Sequence, residues 1–271
     1  MITFLFWNLN RRPLQKLVAG LALRHQVDVL MLAECSTSPG VLLKNLNQHR
    51  RPEYYYTPGI ACRRVEIFTR YPSQFTSPIY EEDRLTIRHL KLPGATDILL
   101  AVTHFPSKLH WSDQSQGLKC VELACSIGIA ETKVGHSRTV LVGDLNMNPF
   151  EDGIVSAIGL HGVMSRRIAE KRARIVQGKR YPFFYNPMWN LLGDATPGPP
   201  GTYYYSKSEP KVFFWNMFDQ VLIRPDLLPL FSNKSLAILT SDGKTSLLSS
   251  DGLPDVNGAS DHLPVFFGIE L

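Results

Sequence analysis

Val140 to Phe150 reads VLVGDLNMNPF, and the fold turns on how it is read. Val140, Leu141 and Val142 are the apolar run of a buried strand. Gly143, Asp144, Leu145 and Asn146 then break that run, and Pro149 ends it. Acids and amides at a strand end serve an ordinary turn. They also serve a metal–phosphate site, and the surrounding sequence has to decide between the two.

The same pattern recurs along the chain. Asn8 and Asn10 follow FLFW, Glu34 follows VLMLA, and His104 follows LLAVT. Asp219 heads QVLI, while Asp261 and His262 precede LPVFFGI. Taken singly, each is a turn residue, a cap or a surface acid. Taken together, they place polar groups where strands start or stop, and such ends can converge on one edge of a sheet. Carboxylates with an amide oxygen make a hard donor set, suited to Mg²⁺ or Mn²⁺ rather than zinc. A histidine beside an acid is oriented and kept charged. That inventory fits metal-assisted cleavage of a phosphate ester.

The elements between these positions alternate. Strand ITFLFWNLN, a helix opened by Pro13, and strand VDVLMLAEC form a βαβ start. VLLKNLNQHR reads as a second helix. EYYYTPG, RRVEIFTRY, RLTIRHLKL and DILLAVTHF read as an antiparallel meander. A helix is expected from about Gln114 to Thr132, with Leu118, Val121, Leu123, Cys125 and Ile129 as its apolar positions, and another from PFEDGIVSAIG. Residues 162–201 read as an irregular, basic insert, and GTYYYSK, FFWNMFDQVLI, SLAILT and HLPVFFGIEL as strands. No linker divides the chain, so one α/β domain over residues 1–271 is expected.

In order, WNLN, LAE, VTHF, GDLNMNP, FDQVLI and SDHLPV resemble the endonuclease/exonuclease/phosphatase superfamily, from Asn8 to His262. The resemblance implies a four-layer α/β/β/α sandwich of two mixed β-sheets flanked by helices, with the site at one edge. It implies Glu34 as principal metal ligand, with Asn8 close by as a ligand or phosphate contact, and Asp261 helping to bind or position the metal. Asp144 would orient or deprotonate the attacking water, and Asn146 would hold the phosphate. His262 would stabilise the developing charge, buttressed by Asp219. His104 would face the phosphate from the other side, with Asp83, or its competitor Glu82, as partner, so that two histidinium groups flank the substrate. The VTHF histidine, and LAE in place of a QE ending, weigh against an abasic-site repair enzyme.

The substrate is less sharply marked. Among 271 residues, 29 Lys and Arg against 24 Asp and Glu leave a formal charge of +5, a mild bias that suits a polyanion. The run Ser165–Arg180 concentrates Arg166, Arg167, Lys171, Arg172, Arg174, Lys179 and Arg180 against Glu170. Arg166 and Arg167 are candidate contacts to a nucleic-acid backbone, with a solvated helix as the alternative. Aromatics in RYPFFYNPMW, GTYYY and VFFWNMF could stack bases or fill the core. A nuclease on DNA or RNA is the first expectation. A phosphatase or lipid phosphodiesterase comes second, and a catalytically silent binding module third. Met1–Pro13 carries no basic leader and no run reaches a membrane span. Cys35, Cys62, Cys120 and Cys125 match no zinc spacing and read as reduced, buried thiols. A cytoplasmic setting is the expectation.

Overall fold

The computed structural model describes residues 1–48 and 54–271. His49 and Arg50 of the expected second helix, and Glu53 of the expected third strand, lie outside the described residues. Along the chain run β1 (Ile2–Asn8), α1 (Gln15–Arg24), β2 (Val29–Ala33), α2 (Pro39–Leu46), β3 (Tyr55–Tyr56), β4 (Val65–Thr69), β5 (Thr76–Glu82), β6 (Leu85–Leu90) and β7 (Ile98–His104). They continue with α3 (Asp113–Val134), β8 (Thr139–Asp144), α4 (Asp152–Val155), β9 (Gly162–Val163), α5 (Arg166–Ala169), β10 (Ala173–Val176), β11 (Lys179–Pro182) and β12 (Phe184–Tyr185). The last are β13 (Tyr203–Tyr205), β14 (Phe214–Asn216), β15 (Asp219–Ile223), β16 (Ala237–Ile238) and β17 (Val265–Ile269).

Two large sheets form. The first has the order β16-β17-β1-β2-β4-β3, the second β5-β6-β7-β8-β15-β12-β9. Both are mixed: β1 with β2 and β7 with β8 are parallel, whereas β1 with β17 and β8 with β15 are antiparallel. Strand residues alternate between faces. Phe4, Phe6, Met31 and Ile67 of the first sheet therefore meet Leu100, Val102, Val142 and Val221 of the second in a shared central core. The opposite face of β1, with Leu5 and Trp7, packs under α1 and α2 through Val18, Leu21 and Leu42. Leu99, Ala101 and Leu141 pack under α3 through Cys120, Leu123 and Ile127. Helix, sheet, sheet, helix is the four-layer sandwich expected.

Strand direction then sets one rim. β1, β2, β7 and β8 end there, at Asn8, Ala33, His104 and Asp144. β15 runs antiparallel to β8 and so starts there, with Asp219 opposite Asp144.

Four expectations change. The meander divides: β3 and β4 pair in the first sheet, β6 and β7 in the second. Beside β6 lies β5, unseen in the sequence because TSPIYEE is an edge strand carrying Pro78 and a register shift between Pro78 and Tyr80. α3 buries Gln116, Cys120, Leu123, Ile127 and Ala130, a cleaner 3.6-residue stripe than the predicted one, and turns Leu118, Cys125 and Ile129 outward. The expected PFEDGIVSAIG helix is the single turn α4. Residues 162–201 are not simply irregular; β9 and β12 extend the second sheet, and β10–β11 form a separate two-stranded hairpin.

Candidate active site

Gly143 permits the closest approach at the rim. A Cβ there would lie 1.9 Å from the Thr103 carbonyl oxygen of β7. Without it, β7 and β8 pair tightly and set His104 directly beside Asp144. Asp144 is 1% exposed. Its Oδ1 accepts the Asn146 N–H at 2.8 Å, and its Oδ2 accepts the Asn8 amide Nδ2 at 2.9 Å. His104 Nε2 stands 3.7 Å from the same Oδ2, and His262 Nε2 4.0 Å. Asp144 thus joins both sheets at one point.

His262 is held from several directions. Its Nδ1 donates to Asp219 Oδ2 at 2.8 Å, leaving Nε2 toward Asp144. Its backbone carbonyl accepts the Trp7 indole N–H at 2.8 Å, and its ring lies 4.7 Å from that of Tyr203. Asp219 is wholly buried; its backbone N–H donates to Thr202 Oγ1, and among the described residues Oδ1 has no partner. Ser260 Oγ donates to the Asn8 carbonyl at 2.7 Å and accepts the His262 N–H at 3.2 Å, stitching the final loop to β1.

Burial disfavours charge on His262, but Asp219, Asp144 and Asp261 overcome it and push the imidazole up to about 10. Burial pushes His104 below its ordinary value, against the pull of Asp144 and with the help of Arg84. Burial raises Asp144 above the usual carboxylate range, with His262 opposing. The two histidines of the expectation thus differ: the surrounding acids favour charge on His262, whereas burial disfavours it on His104.

Glu34 stands just past β2, with Oε1 3.4 Å from His104 Nε2 and Oε2 3.3 Å from Arg11 Nε. Its φ is 47°, and Asn10, Arg11 and Asn146 at the same rim have φ of 46°, 57° and 50°. Side chains rarely adopt this left-handed conformation, which Asn tolerates best. Asn146 Nδ2 donates to the Phe105 carbonyl at 3.0 Å, leaving a second amide proton uncommitted.

Asn8, Glu34, His104, Asp144, Asn146, Asp261 and His262 all line one cleft of about 790 Å³. Arg64, Arg84, Lys108, Lys207 and Lys211 line it too, and none of these cations was singled out from the sequence. They sit in loops and hairpins whose packing no periodicity encodes. Asn148 is a structural tie rather than a site group: its Nδ2 donates to Asn216 Oδ1 at 2.9 Å, and its Oδ1 accepts the Met217 N–H at 2.8 Å.

Two expected pairings do not form. Asp83 faces Arg64 at 3.4 Å, and Glu82 faces Lys119 at 3.1 Å, so neither partners His104. Arg166 and Arg167 do not line the cleft. Arg166 donates to the carbonyls of Leu228 and Phe231, which lie beyond the far end of β15. β12 pairs at that same end, Tyr185 against Ile223, so the basic hairpin leaves the rim opposite the one that carries Asp144 and His262.

Glu34, Asn8 and Asp261 line the same cleft and are the oxygen donors there that could hold a hard cation; among the described residues the Asn8 amide oxygen accepts the Asn10 N–H at 3.0 Å and keeps a second lone pair. The buried Asp144, Asp219 and His262 also hold ligand atoms within 4.8 Å of one another. There, however, a hydrogen bond already joins Asp219 to the charged His262.

A sandwich of two mixed sheets with acids, amides and histidines gathered at one rim defines a class, and the sequence agrees. A profile of the Endonuclease/Exonuclease/phosphatase family matches residues 5–262, and the chain belongs to that family. No curated protein matches significantly. Among solved structures, a family protein from Leptotrichia buccalis C-1013-b is 14% identical with a TM-score of 0.59, each chain wholly covered. The endonuclease domain of TRAS1, a telomere-specific non-LTR retrotransposon, is 16% identical with a TM-score of 0.52, covering 100% of this chain and 99% of that one. D. rerio TDP2 complexed with single strand DNA product is 15% identical with a TM-score of 0.55, covering 98% and 97%. At these identities the likeness shows the fold.

Proposed function

We propose that this protein is a divalent-metal-dependent phosphodiesterase acting on nucleic acid. The observation that carries the reading is Asp144, buried between the Asn8 amide and two histidines, one of them charged by Asp219. Structural surfaces are seldom built from so many buried polar groups.

In this reading Glu34, Asn8 and Asp261 hold Mg²⁺ or Mn²⁺, which when bound supplies positive charge against the phosphate oxygens. Asp144 takes the proton of the attacking water; burial makes it a better base than an exposed carboxylate. His262 donates from Nε2 to a phosphoryl oxygen as negative charge grows in the transition state. Asp219 fixes the ring and its charge. Asn146 offers its uncommitted amide proton to the scissile phosphate. His104, neutral, contacts the phosphate or its leaving group by hydrogen bonding alone.

A polynucleotide is favoured over a small ester because Arg84, Lys207 and Lys211 line the cleft around the site, with Arg11, Arg64 and Lys108 beside them in ion pairs to Glu34, Asp83 and Glu151. The TRAS1 endonuclease domain and the D. rerio TDP2 complex with single strand DNA product, both similar in fold, support that reading. Four free cysteines suit the cytoplasm, and no described helix is long and apolar enough to cross a membrane. The test is incubation with plasmid, single-stranded DNA, RNA and bis-p-nitrophenyl phosphate in Mg²⁺ or Mn²⁺. Turnover of the small ester alone would refute the polymer substrate, and no turnover at all would refute the hydrolase.

A further inference from the structure

Three exposed or half-buried aromatic rings stand beside the cleft without a core to fill. Phe150 follows the Asp144–Asn148 loop, and Phe213 precedes β14 and lines the cleft itself. Their rings meet edge to face with centroids 5.2 Å apart, and Trp189 backs Phe150 at 6.3 Å. Phe213 is 47% exposed and Phe150 38%. The segments carrying them are locked together by the Asn148–Asn216 side-chain bond at 2.9 Å, so the pair is fixed relative to Asp144. Lys211 Nζ lies 5.4 Å from the Phe213 ring centre.

Large rings left in water cost free energy unless something covers them. Here the cover must share the Phe213 ring with the Lys211 ammonium that lies over it, and lie one step along from a phosphate site. An apolar protein segment satisfies the rings but not the lysines. A nucleobase joined to its own phosphate satisfies both, because it has a π-face to stack and an anion to pair.

We propose that Phe150 and Phe213 form a stacking platform for an unpaired base, on a strand whose backbone phosphate occupies the cleft. This rests on the nucleic-acid reading above and narrows it: the protein takes a single strand or an opened end rather than an intact duplex. A base inside a duplex has both faces covered and cannot reach the rings.

The experiment measures binding without cleavage, so that it stands apart from the chemistry. A fluorescein-labelled single-stranded oligodeoxynucleotide and its duplex are titrated by anisotropy in EDTA with the wild type, F150A, F213A and F213W. Circular dichroism of each variant reports intact folding, and turnover of bis-p-nitrophenyl phosphate by the wild type in Mg²⁺ or Mn²⁺ tests the phosphodiesterase reading. Expected are single-strand binding tighter than duplex binding, loss of about tenfold in F213A and less in F150A, and recovery in F213W. The platform is overturned if the wild type prefers duplex or fails to bind the single strand. It is overturned also if F213A binds the single strand as the wild type does. Failure of the phosphodiesterase reading shows separately, as absence of small-ester turnover in the wild type.

Discussion

Asp219→Asn tests the electrostatic centre of the site. The imidazole of His262 stands at about 10 against an ordinary 6.5. That difference corresponds to roughly 5 kcal/mol of preference for the charged ring, at about 1.4 kcal/mol per tenfold. The nearest acids are Asp219 at 2.8 Å and Asp144 at 4.0 Å. Coulomb attraction falls as 1/r, so of these two Asp219 supplies about three fifths of the attraction, ~3 kcal/mol or more because burial opposes the charge and the acids must exceed the net shift. Asparagine keeps the shape and removes that share, so His262 should lose its proton at about pH 8 or below rather than near 10. The amide can also turn its NH₂ toward Nδ1 and favour the wrong tautomer, which should lower kcat by ~10² even at pH 7. The assay is a pH–rate profile on bis-p-nitrophenyl phosphate. An alkaline limb that stays where the wild type has it would refute the assignment. Stability follows with a definite sign. Because the folded-state value is raised, the pair's contribution is fully present below about 6.5 and is lost as pH rises through about 10. The Tm gap between wild type and variant should therefore be widest near pH 6 and close above pH 10.

The other predictions are brief. His262→Ala and Asp144→Asn should each cut ester turnover by ~10² or more while circular dichroism is unchanged; wild-type turnover would remove the residue from the mechanism. Saturating Mg²⁺ should raise the Tm by about 5 °C, and Glu34→Gln should abolish that rise, read by thermal shift with and without EDTA. Gly143→Ala should destabilise the fold by roughly 2–4 kcal/mol in a urea titration, since its Cβ meets the Thr103 carbonyl at 1.9 Å. Arg167→Ala with Arg180→Ala should leave oligonucleotide cleavage within about twofold, because the hairpin leaves the opposite rim; a larger loss would bring that run back to the substrate.

Much of the site was legible because strand ends are legible. Asn8, Glu34, His104, Asp144, Asp219 and His262 each mark the point where an apolar run stops or starts, and strand direction does the gathering. What the sequence hid depends on three-dimensional neighbours. Charge state is one case: His104 and His262 look alike in sequence, but only His262 has a buried acid within hydrogen-bond reach. Distance is another: the Arg166–Arg180 run is adjacent to nothing catalytic, because β12 joins the sheet at the wrong end. The edge strand β5 was missed because its solvated, proline-bearing sequence has no period-two signal.

The left-handed backbone at Asn10, Arg11, Glu34 and Asn146 has a consequence for anyone seeking a hardier protein. Glycine at Glu34 or Asn146 would relax a conformation that costs those residues of order 1 kcal/mol or more. It would also delete the carboxylate or amide that the cleft is built around. Selection for heat resistance alone should therefore drift toward glycine at these corners and yield sturdy, inert descendants. Durability and turnover compete there for the same few torsion angles.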